Sequence, residues 1–152
     1  FGRYDKWHIQ DPEDEGIASG CLGSAIIKTP LGNLGVMHDQ EGLIPEMSRV
    51  LMLAGADIIL WSDSRYDDMN EAVARTRSAE NQVFVMRAGS GGKQDFGMIA
   101  DPRGQVLAST FKGQDQGVSA MIVKALARAK IVVSGTNVVL GRNPQMYKEL
   151  VK

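Results

Sequence analysis

Three side chains able to move protons or bind a cation, His38, Asp39 and Glu41, stand together in Gly35-Val36-Met37-His38-Asp39-Gln40-Glu41-Gly42-Leu43-Ile44-Pro45-Glu46. The stretch opens like a buried strand and ends on a Pro-Glu pair suited to a helix start. The polar residues therefore fall where a strand spills into a loop, the place where α/β folds gather their sites. Carboxylates beside an imidazole suit acid–base work. With His8 they could also ligate a metal, but no His-Glu-x-x-His spacing supports that, and Cys21 is the only cysteine. His8 and His38 read as structural histidines and Cys21 as a small packed residue; neither metal nor cofactor is expected. Gly89-Ser90-Gly91-Gly92 lacks the Gly-Lys-Ser/Thr ending of a phosphate loop.

Periodicity and turn chemistry define the elements that must hold these residues. Arg3 to Ile9 reads as a short extended segment and Gln10 to Gly23 as an acidic, Gly-rich loop. Ala25–Thr29 and Leu34–Met37 are predicted to form a hairpin around Pro30-Leu31-Gly32-Asn33. Pro45 suits a first helical turn, and Met47, Val50, Leu51 and Ala54 recur at helical spacing before Gly55. Ile58–Trp61, Val83–Arg87, Gly97–Ala100 and Val106–Thr110 read as strands. The last two flank the turn Asp101-Pro102-Arg103-Gly104. The spacing predicts a helix over 70–81 with Ala72, Val73, Thr76 and Ala79 on one face. Gly117 to Val123 reads as a further strand, Ala125 to Lys130 as helical, Ile131 to Leu140 as apolar and β-branched, and Pro144 to Val151 as a short helix. Strands alternating with helices give an α/β layered fold, with the candidate site at the ends of the strands closing at Met37, Trp61 and Arg87.

The 152 residues suffice for one domain or for part of a larger one, and no linker divides them. Hydrophobic content of 43% and charged content of 23% are ordinary for a globular chain. A net charge of −1 without a basic block disfavours nucleic-acid and anionic-membrane surfaces. No apolar run approaches the roughly 20 residues that span a bilayer, and no signal peptide is visible. A lone cysteine fits a reducing, cytoplasmic location. The chain starts at Phe1, as a fragment or a processed chain would.

The order of motifs is familiar. Tyr4-Asp5-Lys6-Trp7-His8 resembles the Tyr-Arg-Lys-x-His segment that carries the catalytic lysine of the nitrilase superfamily, the carbon–nitrogen hydrolases. Thr29-Pro30-Leu31-Gly32-Asn33-Leu34-Gly35-Val36-Met37 resembles the strand pair leading to that family's nucleophile. Pro45-Glu46 with Arg49 resembles the helix start that follows it, and Ala54-Gly55-Ala56-Asp57 the turn into the next strand. Arg77-Ser78-Ala79-Glu80-Asn81-Gln82 is similar to the family's Arg-Ala-x-Glu-Asn helix end, and Asp101-Pro102-Arg103-Gly104 to its Asp-Pro-x-Gly turn. The match runs from about Gly2 to Val123. It implies part of a four-layer α-β-β-α sandwich, the N-terminal portion with the glutamate base being absent. It also implies a small amide, nitrile or acid as substrate. Because part of the sandwich would be uncovered, the chain is expected to pair with a copy of itself or with a separate N-terminal chain.

The resemblance also assigns roles. Lys6 and the backbone N–H of Gln40 would hold the oxyanion. Glu15, or alternatively Glu13, would brace the lysine. Glu41, Trp61, Ser62 and Gly89 would line the substrate pocket. Counting back from Pro45-Glu46, the family's cysteine falls on Asp39. A carboxylate, of reference pKa about 3.9 against about 8.5 for a thiol, is a weaker nucleophile and a better leaving group. An intermediate formed on Asp39 would expel the carboxylate before an amine. Beside Lys6, a charge-assisted hydrogen bond is its more natural role. Three readings remain open: a hydrolase domain impaired or silent as written, a non-catalytic binding or assembly subunit, and an enzyme using Asp39 as general base on water.

Overall fold

A computed structural model describes residues 2–9, 16, 18–20, 26–64, 68–90, 92–93 and 95–151. Six strands form one mixed sheet in chain order: β1 (Ile26–Thr29), β2 (Gly32–His38), β3 (Ile58–Asp63), β4 (Phe84–Gly89), β5 (Met98–Ala100) and β6 (Val106–Ser109). β1 and β2 are the expected antiparallel hairpin, β2, β3 and β4 run parallel, and β5 and β6 return antiparallel. Parallel neighbours need a crossover. Here α1 (Pro45–Leu53) joins β2 to β3 and α2 (Asn70–Asn81) joins β3 to β4. The register sets Met37 opposite Trp61, Trp61 opposite Arg87, and Asp63 opposite Gly89. Three strands therefore end at one edge, where the polar residues gather.

Both helices lie on the same face of the sheet. Met47, Leu51 and Met52 of α1 and Ala74 of α2 pack with Met37, Ile59, Trp61, Val85 and Met98 in one core. The helices also touch each other: Asn81 Nδ2 donates to Ser48 Oγ at 3.0 Å, and Arg49 Nη2 to the Glu80 carbonyl at 2.9 Å. The apolar stripe expected on α2 is not the buried one. Ala72 and Thr76 face solvent, as does Val50 on α1. The inward stripe of α2 is Asn70, Ala74, Arg77, Ser78 and Asn81, which keeps the helical period but is mostly polar. Those side chains cap backbone groups: Arg77 donates to the carbonyls of Gly42 (3.0 Å) and Leu43 (2.9 Å), holding the turn beyond β2.

On the second face, Ile58 and Phe84 are covered by Ala127 of α3 (Lys124–Ala129), while Leu34, Leu60 and Met86 are only partly buried. The strand expected over 117–123 does not form. Ile122 packs on this second face with Ala127, and Met121 and Val123 point outward, so the segment pairs with no strand among the described residues. Downstream, β7 (Ile131–Val133) and β8 (Thr136–Asn137) form a two-stranded ribbon. Two 3-10 turns, Pro144–Met146 and Lys148–Val151, replace the expected short helix. No helix among the described residues is long and apolar enough to cross a membrane.

Asp57, buried at the mouth of β3, ties this second layer down. Its carboxylate accepts from Arg128 Nε and Nη2 at 2.9 and 3.0 Å and from the Asn33 N–H at 3.0 Å. The Arg128 hydrogen bonds hold its carboxyl below the usual carboxylate range against the opposing effect of burial. Because the folded value is the lower one, its stabilisation is present above the unfolded value near 3.9 and is lost as pH falls below it. Asp57→Asn should therefore lower the thermal midpoint at pH 7, with the deficit closing between about pH 4 and pH 2. Circular-dichroism melts of both proteins across that range measure this.

Candidate functional site

β2 runs directly into Asp39, whose φ of +48° lies in the left-handed region and begins a 3-10 turn over Asp39–Leu43. Aspartate is among the few residues other than glycine that visit this region. Packing holds the turn. Trp61 Nε1 donates to the Asp39 carbonyl at 2.9 Å, and the Trp61 ring lies so close to Gly42 that a Cβ there would collide with it.

This turn sets the Asp39 carboxylate among Ser64, His38 and Lys6. Oδ1 accepts from the Ser64 N–H and from Ser64 Oγ, each at 2.8 Å. Oδ2 lies 3.1 Å from His38 Nε2 and 4.0 Å from Lys6 Nζ. The Lys6 and Asp39 side chains are 14% and 11% exposed, whereas that of His38 is 44% exposed, so the imidazole alone reaches well into solvent. The structure thus brings Lys6, His38, Asp39 and Ser64 together. Gln40 follows on the same turn, its side-chain amide reaching toward the His8 carbonyl at 3.4 Å. Glu15 and Glu13 lie outside the described residues.

Glu41 is not on a pocket wall. It has no exposed surface, and its carboxylate faces the Tyr4–His8 segment. Oε1 accepts from the Trp7 N–H (2.8 Å) and the His8 N–H (3.2 Å), and Oε2 from the His38 N–H (2.8 Å) and the Tyr4 hydroxyl. A carboxylate has about four lone-pair directions, and all are used within the protein. Burial and the Glu41 hydrogen bond push the Tyr4 hydroxyl pKa well up, so it stays a proton donor. One acidic side chain thereby fixes both the segment carrying Lys6 and the turn carrying Asp39.

Trp61, Ser62 and Gly89 border a cavity of about 600 Å³, whose other walls include Leu60, Met86 and Ile99 from the sheet's second face and to which Lys6 and Asp39 do not contribute. Trp61 is itself 1% exposed and acts mainly as a support. Arg87 lies against its ring, 5.6 Å from the centroid, and against Phe96 at 4.9 Å. Fully buried Arg87 Nη2 meets Asp63 Oδ2 at 3.0 Å and Asp95 Oδ1 at 2.9 Å, joining the ends of β3 and β4. Burial would raise the Asp95 carboxyl, but the Phe96 N–H, Arg87 and the Ser90 N–H overcome it and hold the pKa down. Gly89 has no room for a Cβ because the Asp95 carboxylate fills that space. Ser90 Oγ then donates to the Ser64 carbonyl at 3.2 Å, which carries this bracing back to Asp39.

Sequence reading missed Ser64, Tyr4 and the Asp63–Arg87–Asp95 cluster. For Ser64 no local signal exists; its role depends on how β3 ends. Arg87 did leave one, since an arginine closing the otherwise apolar run Val83–Met86 is costly unless paired.

The sequence profile of the carbon-nitrogen hydrolases matches residues 1–131. The Schizosaccharomyces pombe protein named "Probable nitrilase" is 28% identical over 160 residues, which cover 99% of this chain and 58% of that protein. A solved carbon-nitrogen hydrolase from Helicobacter pylori G27 superposes with a TM-score of 0.83 at 20% identity, over 97% of this chain and 60% of that one. A mutant of the amidase from Nesterenkonia sp. AN1, seen with acrylamide added to its active-site cysteine, gives 0.74 at 16% identity, over 97% and 57%. At these identities the two structures speak for the shared fold, and this chain spans under two thirds of each of the three proteins.

Removing the Glu41 charge should loosen both halves of the site at once. Glu41→Gln is expected to cost roughly 3 kcal/mol in urea unfolding and Tyr4→Phe about 1 kcal/mol. An unfolding midpoint unchanged by Glu41→Gln would contradict this arrangement.

Proposed function

Because the chain belongs to the carbon-nitrogen hydrolase family, we propose that it carries the lysine-and-nucleophile side of a site for a small amide, nitrile or acid in which the covalent route is closed. The observation that carries this reading is the Asp39 carboxylate itself, held by two hydrogen bonds from Ser64 and set 4.0 Å from Lys6 Nζ. In the motif match Asp39 holds the position of the family's cysteine. A carboxylate is a weak nucleophile, and any acyl adduct it formed would return to reactants by expelling the carboxylate. In the motif match Lys6 and the Gln40 N–H would still polarise a carbonyl oxygen, so that binding outlasts the covalent step and turnover is impaired. A single cysteine fits a reducing, cytoplasmic setting.

The second face supports a further layer. Leu60 and Met86 are only partly buried beside the 600 Å³ cavity, and the family's four-layer arrangement stacks a second sheet on such a face. A copy of this chain or a separate N-terminal chain would cover it. Light scattering should therefore show an assembly larger than one chain; a well-behaved monomer would rule the partner out.

Incubation with acetamide, butyramide or fluoroacetamide followed by intact-mass analysis tests the closed covalent route. The expected outcome is an unmodified Asp39, and turnover in ¹⁸O-water that leaves no label in its carboxylate. An adduct on Asp39, or ¹⁸O within it after turnover, would overturn the reading in favour of carboxylate nucleophilic catalysis.

A further inference from the structure

We propose that Lys130 is a neutral-amine latch: it fastens the C-terminal arm, residues 131–151, to the end of α2, and protonation of its amine loosens the arm. Apolar burial does little to hold this segment. Ile131, Val132 and Val133 of β7 are each more than half exposed, as are Leu140, Met146 and Leu150 further on. Val139 packs, partly buried, against the main core. A two-stranded ribbon such as β7–β8 is marginal by itself in water. The arm therefore belongs to the low-stability end of the molecule, where a few contacts decide whether it stays docked.

Lys130 supplies such contacts at the root of the arm. Its backbone lies in the left-handed region at φ +51°, where α3 ends. Its carbonyl accepts from the Val138 N–H at 3.0 Å, which closes the ribbon. Its half-buried side chain reaches the body of the protein, where Nζ donates to the Gln82 carbonyl at 2.9 Å and to the Asn81 carbonyl at 3.2 Å. These carbonyls end α2 and have no donor within the helix. A left-handed residue other than glycine persists where its surroundings fix it. Here one side chain and the Val138 bond do the fixing.

The number of acceptors selects the protonation state. A neutral amine has two N–H groups, and the two carbonyls receive them. An ammonium has three, and among the described residues no further acceptor meets the third. Two charged groups act on the amine: Asp57 ahead of β3 favours the cation, and Arg49 of α1 opposes it. Arg128 of α3 is held on Asp57. Burial weighs most and disfavours the cation, so the Lys130 pKa falls to about 8, against about 10.4 for a lysine in water. Because the latched value is the lower one, the released arm binds the proton more tightly. The latch is therefore tightest above about pH 10, weakens as pH falls toward about 8, and stays at its weakest below that. Between about pH 9.5 and pH 7 these two values lower the ratio of latched to released arm about 25-fold. The proton comes from solvent, and no covalent bond other than N–H changes.

The test follows the 152-residue chain by two readouts. Carbon-13 NMR of the Lys130 ε-carbon should titrate with a midpoint of about 8. Quenched-flow amide exchange, corrected for the intrinsic rate at each pH, should show protection of the Val138 N–H rising about 25-fold between about pH 7 and 9.5. In Lys130→Met, which keeps an aliphatic stem and whose folding is checked by circular dichroism, that rise should vanish. A midpoint at the ordinary lysine value, protection that does not rise with pH, or a rise that persists in Lys130→Met would overturn the proposal. The first two of these are read on the unsubstituted protein, so they stand whether or not the variant folds.

Discussion

The Glu41 carboxylate has no exposed surface and accepts from the Tyr4 hydroxyl and from the backbone N–H groups of Trp7, His8 and His38. Burying such a group is tolerable only when donors replace the water it loses. The consequence is spatial. A segment with no regular secondary structure, Tyr4 to His8, is seated against the end of β2, and Lys6 arrives beside Asp39 because its neighbours are fixed. The Asp39 turn is fixed in turn by Trp61 and Arg77.

Beneath that turn the parallel strands bring a second set of charges to one edge. Arg87 neutralises Asp63 and Asp95 with no exposure of its own side chain, and its guanidinium backs the ring of Trp61. The strained backbone at Asp39 is thus over-determined by its surroundings, the condition under which a left-handed non-glycine residue persists. The site has rigid walls, and its exposed functional group is the His38 imidazole.

Much of this was legible in the residues. The hairpin, the crossover helices and the strand ends at Met37, Trp61 and Arg87 follow from turn residues and periodicity, and Asn70–Asn81 forms the predicted helix. The motif order placed Lys6 near Asp39. Other features depend on packing that no local pattern encodes. α2 buries a polar stripe because its side chains cap the neighbouring turns, so apolar periodicity pointed at the wrong face. The segment at 117–123 has strand-like composition, but Ile122 is drawn to the second face of the sheet. Glu41 read as a pocket residue because a carboxylate next to a nucleophile position looks functional; only the path of the Tyr4–His8 segment reveals its supporting role.

All these features converge on Glu41 as the buried acceptor that seats the Lys6 segment against the Asp39 turn. Amide hydrogen exchange of the wild-type chain and of Glu41→Gln tests that most directly. The N–H groups of Trp7, His8 and His38 should be protected in the wild type and lose that protection together in Glu41→Gln. Protection that survives the substitution would contradict the account.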